Sequence, residues 1–398
     1  MKLIWYIITI VFSTVLLFLG NLYSVSVRES FQENQVQQEL FDSDIVINMR
    51  ARVTEIISIN VYNTAPIILP NNTLSSYTIK DIFFLAELEN GEVVSAIQSI
   101  TDQIPVPDRQ VQVNDRIILQ HNQFYNIYGE LIDIYQIFGF IRINQMIIFG
   151  VIVFFAIILF GKFQGLNSLV ALGFTISSIF FVFVPVILYG ANIYLWSIII
   201  SLYSTMTTVL IVIGATKKAV STIIGTLFSI AVTAFLTVIM SNILGMTGVL
   251  DQEIVGILMY NDSLDLNAIV FAGIVIGSIG AIMDVCMSIS SSLWEFSQTN
   301  KNSFIEIYKT GITVGKDILG TMANTLVLAY IGSYLSIILI ISITFSDNIF
   351  DVFHMESIIT ELLRALVGIS GIFLAIPITT FTCSWLYQTK DKNLNTLQ

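Results

Sequence analysis

LNAIVFAGIVIGSIGAIMDVCMS, residues 266–288, is a run of apolar and small residues with a single charge, Asp284. It matches the roughly 20 apolar residues that a helix needs to cross the hydrocarbon core of a bilayer. Gly273, Gly277, Gly280, Asp284, Ser288, Ser291 and Glu295 recur at three- and four-residue steps, which places them on one helical face. Glycines there allow a neighbouring helix to come close, and the face turns polar toward its C-terminal end. Asp284 would sit roughly 6–12 Å inside the apolar run at ~1.5 Å per residue. An ionised carboxylate at that depth costs on the order of 2.5–3.5 kcal/mol, so it should face protein or water. Either it makes a buried structural hydrogen bond, or it serves as a proton or cation relay or a gate.

Working outward, similar runs appear near Ile4–Val25, Gln145–Phe160, Asn167–Leu188, Ile193–Gly214, Thr222–Met246, Ile318–Phe345 and Ile359–Tyr387, giving eight expected spans. The chain is 55% hydrophobic and 11% charged, and its mean hydropathy is +0.83. Soluble domains carry about 25% charged residues, so the composition points to lipid. A net charge of -11 argues against a nucleic-acid partner. Cys286 and Cys383 lie in apolar runs and read as buried free thiols. With two distant histidines and no hydrolase, nucleotide or zinc motif, no catalytic residue, metal site or cofactor is expected.

Lysine placement sets the orientation. Lys2, Lys162, Lys217, Lys218, Lys301, Lys309, Lys316, Lys390 and Lys392 all fall on one side if the N-terminus is cytoplasmic. The opposite short loops are acidic, with Asp251, Glu253, Asp262 and Asp265 in one and Asp347, Asp351 and Glu356 in the other. Both termini are therefore expected in the cytoplasm. The first apolar run exceeds the 7–15 residues of a signal peptide and is followed by no A-x-A-like site, so residues 1–25 read as an uncleaved anchor.

Residues 26–142 are ordinary in composition and read as an extracytoplasmic β-rich domain, OB-like or a sandwich, ahead of a seven-helix bundle over 143–398. Ser30–Leu40 is a polar linker or short helix. Ile45–Ile59, Ile79–Leu88, Glu92–Ile100 and Val111–Leu119 are strand-like, the last as a turn feeding the strand that closes a barrel. Asn90-Gly91 signals a hairpin with a type I′ turn.

In the seventh expected span, Asp317, Thr321, Asn324 and Thr325 share a face. Asp317 reads as an N-terminal cap or as a functional carboxylate, and Asn324 as interhelical glue or a functional amide. Ser303–Lys316 reads as an interfacial helix or a re-entry linker. Gly368 and Gly371 form a packing face before a kink at Pro377. Glu361 and Arg364, one turn apart, should pair and snorkel outward.

GATKKAVSTIIGT (214–226), GAIMDVCMSISSSLWE (280–295), GKDILGTMANTLVLAYIG (315–332) and LVGISGIFLAIPITT (366–380) together resemble the YibE/F family of bacterial multispanning membrane proteins. Cys286 departs from the pattern, where a small residue such as alanine is expected. The resemblance implies a bacterial plasma membrane and the larger, YibE-like type that carries an outer domain. It also implies a shorter homologous membrane partner, and carries over no activity, substrate or catalytic residue.

Two functions remain. One is a transporter or permease for a small solute or ion, coupled to protons or cations through Asp284, with Ser288, Ser291, Asp317, Thr321 and Asn324 along its path. The other is a non-transporting envelope scaffold, assembly factor or sensor acting through the outer domain. An intramembrane aspartyl protease would need Asp284 and Asp317 to share a proton and a water. Lys316 stands where the GxGD pattern of such enzymes has its second glycine, and Met283 where a tyrosine precedes the first aspartate.

Overall fold

The structure is a computed structural model that describes residues 2–35, 47–64, 67–68, 74–75, 78–102, 109–125, 131–249, 264–299, 303–344 and 354–388. The lysines at 301, 390 and 392 and the loop acids at 251, 253, 262, 347 and 351 lie outside the described residues. The chain forms two compact units, residues 35–156 and residues 1–34 with 157–398.

The first unit is built on a closed five-stranded barrel. Its strands are β1 (Ile47–Asn63), β2 (Thr78–Leu88), β3 (Val93–Thr101), β4 (Arg116–Tyr125) and β5 (Leu131–Phe140), in the spatial order β1-β2-β3-β5-β4 and back to β1. Of the two expected architectures this is the barrel. Alternation places Val53, Ile82, Phe84, Ala96, Ile117 and Leu119 inside, with their neighbours outside. Pairing is antiparallel except between β3 and β5, where Ala96 and Tyr135 meet in parallel. Gln98 is buried, and both polar atoms of its amide are used: it donates to the Arg109 carbonyl at 2.8 Å and accepts from Val111 N–H at 2.8 Å. As expected from Val111–Leu119, a turn through Asn114 (φ 74°) feeds β4, and β4 closes the barrel on β1.

The β2–β3 hairpin differs from expectation. Gly91 is left-handed (φ 83°) and Asn90 is not. Gly91 N–H donates to the Leu88 carbonyl, and the Asn90 side chain accepts from Glu92 N–H at 2.9 Å. This is a three-residue loop ending in a left-handed glycine, which needs one positive φ where a type I′ turn needs two.

The second unit is helical: α1 (Lys2–Gln35), α2 (Ile143–Ser178), α3 (Val184–Leu188) after a π turn, α4 (Ile193–Val212), α5 (Lys217–Leu244), α6 (Leu266–Thr299), α7 (Phe304–Ser333), α8 (Leu335–Thr344) and α9 (Glu356–Tyr387). The first fourteen residues of α2 belong to the barrel's unit. Of Ser30–Leu40, expected as a linker or short helix, residues 30–35 prolong α1, and 36–40 lie outside the described residues. Helix ends follow their caps: Asn192 accepts from Leu195 N–H, Thr216 from Ala219 N–H, and Gly245 (φ 62°) ends α5. Ser13 of α1 hydrogen-bonds Thr207 of α4 at 3.1 Å, so the first helix packs on the bundle.

Among the described residues, six helices are long and apolar enough to cross a membrane. One candidate, Ile143–Leu188, spans 46 residues and contains two of the expected runs. Its helix is broken at Lys162 (φ 48°, ψ −130°). A side-chain carbon at Gly165 would lie 2.5 Å from the Ile157 carbonyl oxygen. Eight residues of continuous helix would separate them by ~12 Å, so the chain folds back at Lys162. The expected span Ile318–Phe345 falls on α7 and α8 and is not among the six. Only its residues 318–333 lie on α7, which ends at Ser333; Lys316 and Asp317 immediately precede them and Asn324 interrupts them.

Candidate functional site

Helix α9 positions the site, because α5, α6 and α7 all pack on it. Against α5 it runs antiparallel, with Gly225 facing Thr379 and Gly371 facing Thr233, so each helix offers a glycine to the other's threonine. Against α7, an added side-chain carbon at Gly368 would meet Leu326 at 2.8 Å and one at Gly311 would meet Thr380 at 2.5 Å. Against α6 it runs parallel: Gly371 faces Ile282, Thr379 donates to Cys286 Sγ at 3.2 Å, and Tyr387 meets Ser290 at 2.9 Å. Pro377 lies inside α9 and contributes no N–H, which leaves the Phe373 carbonyl without its helical donor.

With one flank of α6 buried against α5 and α9, the other is open. Gly273, Gly277, Gly280, Asp284 and Ser288 are all exposed, and Ser291 is half-buried. Nothing lies near an added carbon at Gly280. Among the described residues Asp284 has no hydrogen-bond or ion-pair partner, so the structural bond considered for it is not made within them. Helix α7 runs antiparallel beside this face. Gly311 of α7 is level with Leu293 of α6, and Tyr330 is level with Gly277. At the same rise of ~1.5 Å per residue in both helices, Asp284 is then level with the stretch Gly320–Ala323. Asp317 lies about a turn to one side of that stretch and Asn324 borders it on the other, and Asp317, Thr321 and Asn324 are exposed as Asp284 is.

Asp317 does not cap a helix. Helix α7 begins at Phe304, where Ser303 and Glu306 form a reciprocal capping box, so Asp317 lies well within the helix. Ser303–Lys316, expected as a separate interfacial helix or linker, is the first half of α7. Its Ile307, Gly311 and Gly315 are buried at four-residue steps.

Glu361 and Arg364 pair as expected, at 2.7 Å, but do not snorkel. Their side chains are only 8% and 21% exposed. The Arg364 guanidinium lies 5.9 Å from the centre of the Tyr330 ring, and an added carbon at Gly273 would meet it at 3.4 Å. A buried ion pair therefore stands at the N-terminal end of the glycine face. Sequence spacing revealed the pair but not its cover, which α6 and α7 supply.

A second polar group escaped the sequence reading. Ser221, Ser290 and Tyr387 are buried and mutually hydrogen-bonded at 2.6, 2.9 and 2.9 Å where α5, α6 and α9 meet. A signal for it was present: Ser221, Gly225, Ser229, Thr233, Thr237 and Ser241 recur every four residues along α5. Among the described residues, no three His, Cys, Asp or Glu side chains are grouped to hold a metal ion.

The sequence profile of the family described as YibE/F-like protein matches residues 149–389. The chain belongs to the YibE/F-like family. The match runs from α2 to the end of α9 and so includes every candidate residue of this YibE/F-like protein, while α1 and the barrel precede it. Neither a curated protein nor a solved structure matches the chain.

Proposed function

We propose that this YibE/F-like protein is a transporter or permease for a small solute or ion, with the open face of α6 and the neighbouring face of α7 as its path. The observation that supports this is Asp284, a carboxylate within a membrane-crossing helix, beside glycines and without a partner among the described residues. Ionisable groups in such segments mark ion pathways, proton relays or gates. Taking up a proton or cation at Asp284 would remove the cost of the charge, so that one change of charge biases the local packing of α6 against α7. Asp317, Thr321 and Asn324 would carry polar contacts along the same path. The setting is a bacterial plasma membrane, with eight spans, cytoplasmic termini and residues 26–142 outside. A shorter YibE/F-type chain is the proposed membrane partner.

Asp284→Asn tests this. The variant should reach the membrane at wild-type levels and shift cellular ion or metabolite content in the same direction as deletion of the protein. A wild-type solute profile at matched levels would count decisively against transport. A second reading, a non-transporting envelope scaffold, assembly factor or sensor, draws on the barrel, which has its own core and lies outside the family match. That reading requires removal of residues 36–141 to abolish the phenotype while Asp284→Asn leaves it intact.

A further inference from the structure

The barrel carries a concave groove of about 550 Å³ lined by Arg50, Arg52, Arg116 and Arg142, with Glu87 and Glu89. Four of the chain's seven arginines gather here, in a protein whose net charge is -11. Strand pairing forces part of this arrangement. Arg52 of β1 lies directly opposite Arg116 of β4, and like charges in that relation destabilise a sheet. Arg52 also has Glu87 opposite it on β2, yet makes no ion pair with it. Among the described residues Arg52, Arg116 and Arg142 have no ion-pair partner. Arg50 reaches Glu89 only loosely, at 3.8 Å, with side chains 71% and 74% exposed. Arg109, by contrast, is outside the groove and is held by Asp115 at 2.6 Å. The chain end of the groove is fixed by Ile141 N–H donating to the Arg116 carbonyl at 2.9 Å. That bond leaves Arg142 next to the first residues of α2, whose unsatisfied N–H groups favour an anion.

We propose that this groove binds a phosphate-type anion between Arg52, Arg116 and Arg142, with Arg50 at its edge. Planar guanidinium forks match phosphate oxygens in pairs, and a bound dianion or phosphodiester offsets the repulsion between Arg52 and Arg116. Two sources share this chemistry: a free phosphate and the headgroup of an anionic phospholipid. The second has a natural route to the groove, since α2 starts one residue after Arg142 and its continuous apolar run begins at Met146, about one helical turn further on.

The full chain in phosphate-free maltoside micelles is titrated with inorganic phosphate in one arm and phosphatidylglycerol in the other. In whichever arm binds, Arg52→Gln with Arg116→Gln should weaken affinity at least tenfold. Arg52→Lys with Arg116→Lys should give an intermediate loss, and Lys80→Gln on the same barrel should give none. Because the double glutamine variant removes a repulsion, its ligand-free melting temperature should not fall. Should it fail to fold, Arg142→Gln, outside the sheet, replaces it with the same expected weakening. Binding of phosphatidylglycerol alone assigns the site to a lipid headgroup, and binding of phosphate alone to a soluble anion. No binding in either arm, or binding that survives the arginine substitutions, overturns the proposal.

Discussion

Glu361 and Arg364 hold each other inside the bundle, where a charge left alone is costly. Removing one member of a buried pair costs about 3–5 kcal/mol, whereas replacing both with apolar groups is often close to neutral. Arg364→Met should therefore lower stability by about 3 kcal/mol in micelles, and Glu361→Leu with Arg364→Met by less than either single change. A thermal double-mutant cycle measures this, and purely additive losses would mean the two are uncoupled. Glycines separate in the same way. Gly371→Ala pushes a methyl group into Thr233 and Ile282 and should cost about 1–3 kcal/mol. Gly280→Ala meets only open space and should be neutral or stabilising by roughly 0.5–1 kcal/mol, because alanine is the better helix former. Unfolding midpoints of the two variants check the contrast. The three-residue step between Glu361 and Arg364 is written in the sequence. Their depth is not, because spacing along one helix names neighbours on that helix and says nothing of which other helix covers them.

Helix α7 shows what an element-level reading can and cannot recover. Ser303→Ala should cost about 1 kcal/mol by removing the cap. Ser303 N–H and hydroxyl both hydrogen-bond the Glu306 carboxylate, which holds its pKa below the usual glutamate range. A lowered folded value means the contribution is complete above the unfolded pKa of about 4.3 and is lost as pH falls through the lower folded value. The stability gap between wild type and Ser303→Ala should be flat at neutral pH and shrink only in acid, and melting curves across pH would reveal any other trend. The Ser-x-x-Glu of the capping box stands in the sequence but was not among the expectations; alternation over 304–316 suggested an interfacial piece, and Asp317 was then free to look like a cap. Burial of Ile307, Gly311 and Gly315 at four-residue steps shows the stronger period. Strand β5 was missed for a different reason, although the expected domain boundary at 142/143 fell just past its end: its polar residues Asp133 and Gln136 lie on opposite faces, so no two-residue alternation marks it.

At the scale of the molecule, two units with separate cores divide the chain. A fragment of residues 47–141 should fold alone into a β-rich barrel with cooperative unfolding, which circular dichroism would test. An unfolded fragment would show that the barrel depends on the bundle. Membrane class and most span positions follow from hydropathy, because bilayer thickness is an external ruler. The groove of arginines did not, since strand register, which a one-residue slip would reverse, is what places Arg52 against Arg116. The turn at Lys162 bears on how the chain is made. The two apolar halves of Ile143–Leu188 are joined there with no loop between them, so once the first half has left the translocation channel there is no slack to hold the second half back. The pair must enter lipid as one cooperative hairpin, on a schedule set by the ribosome rather than by either half.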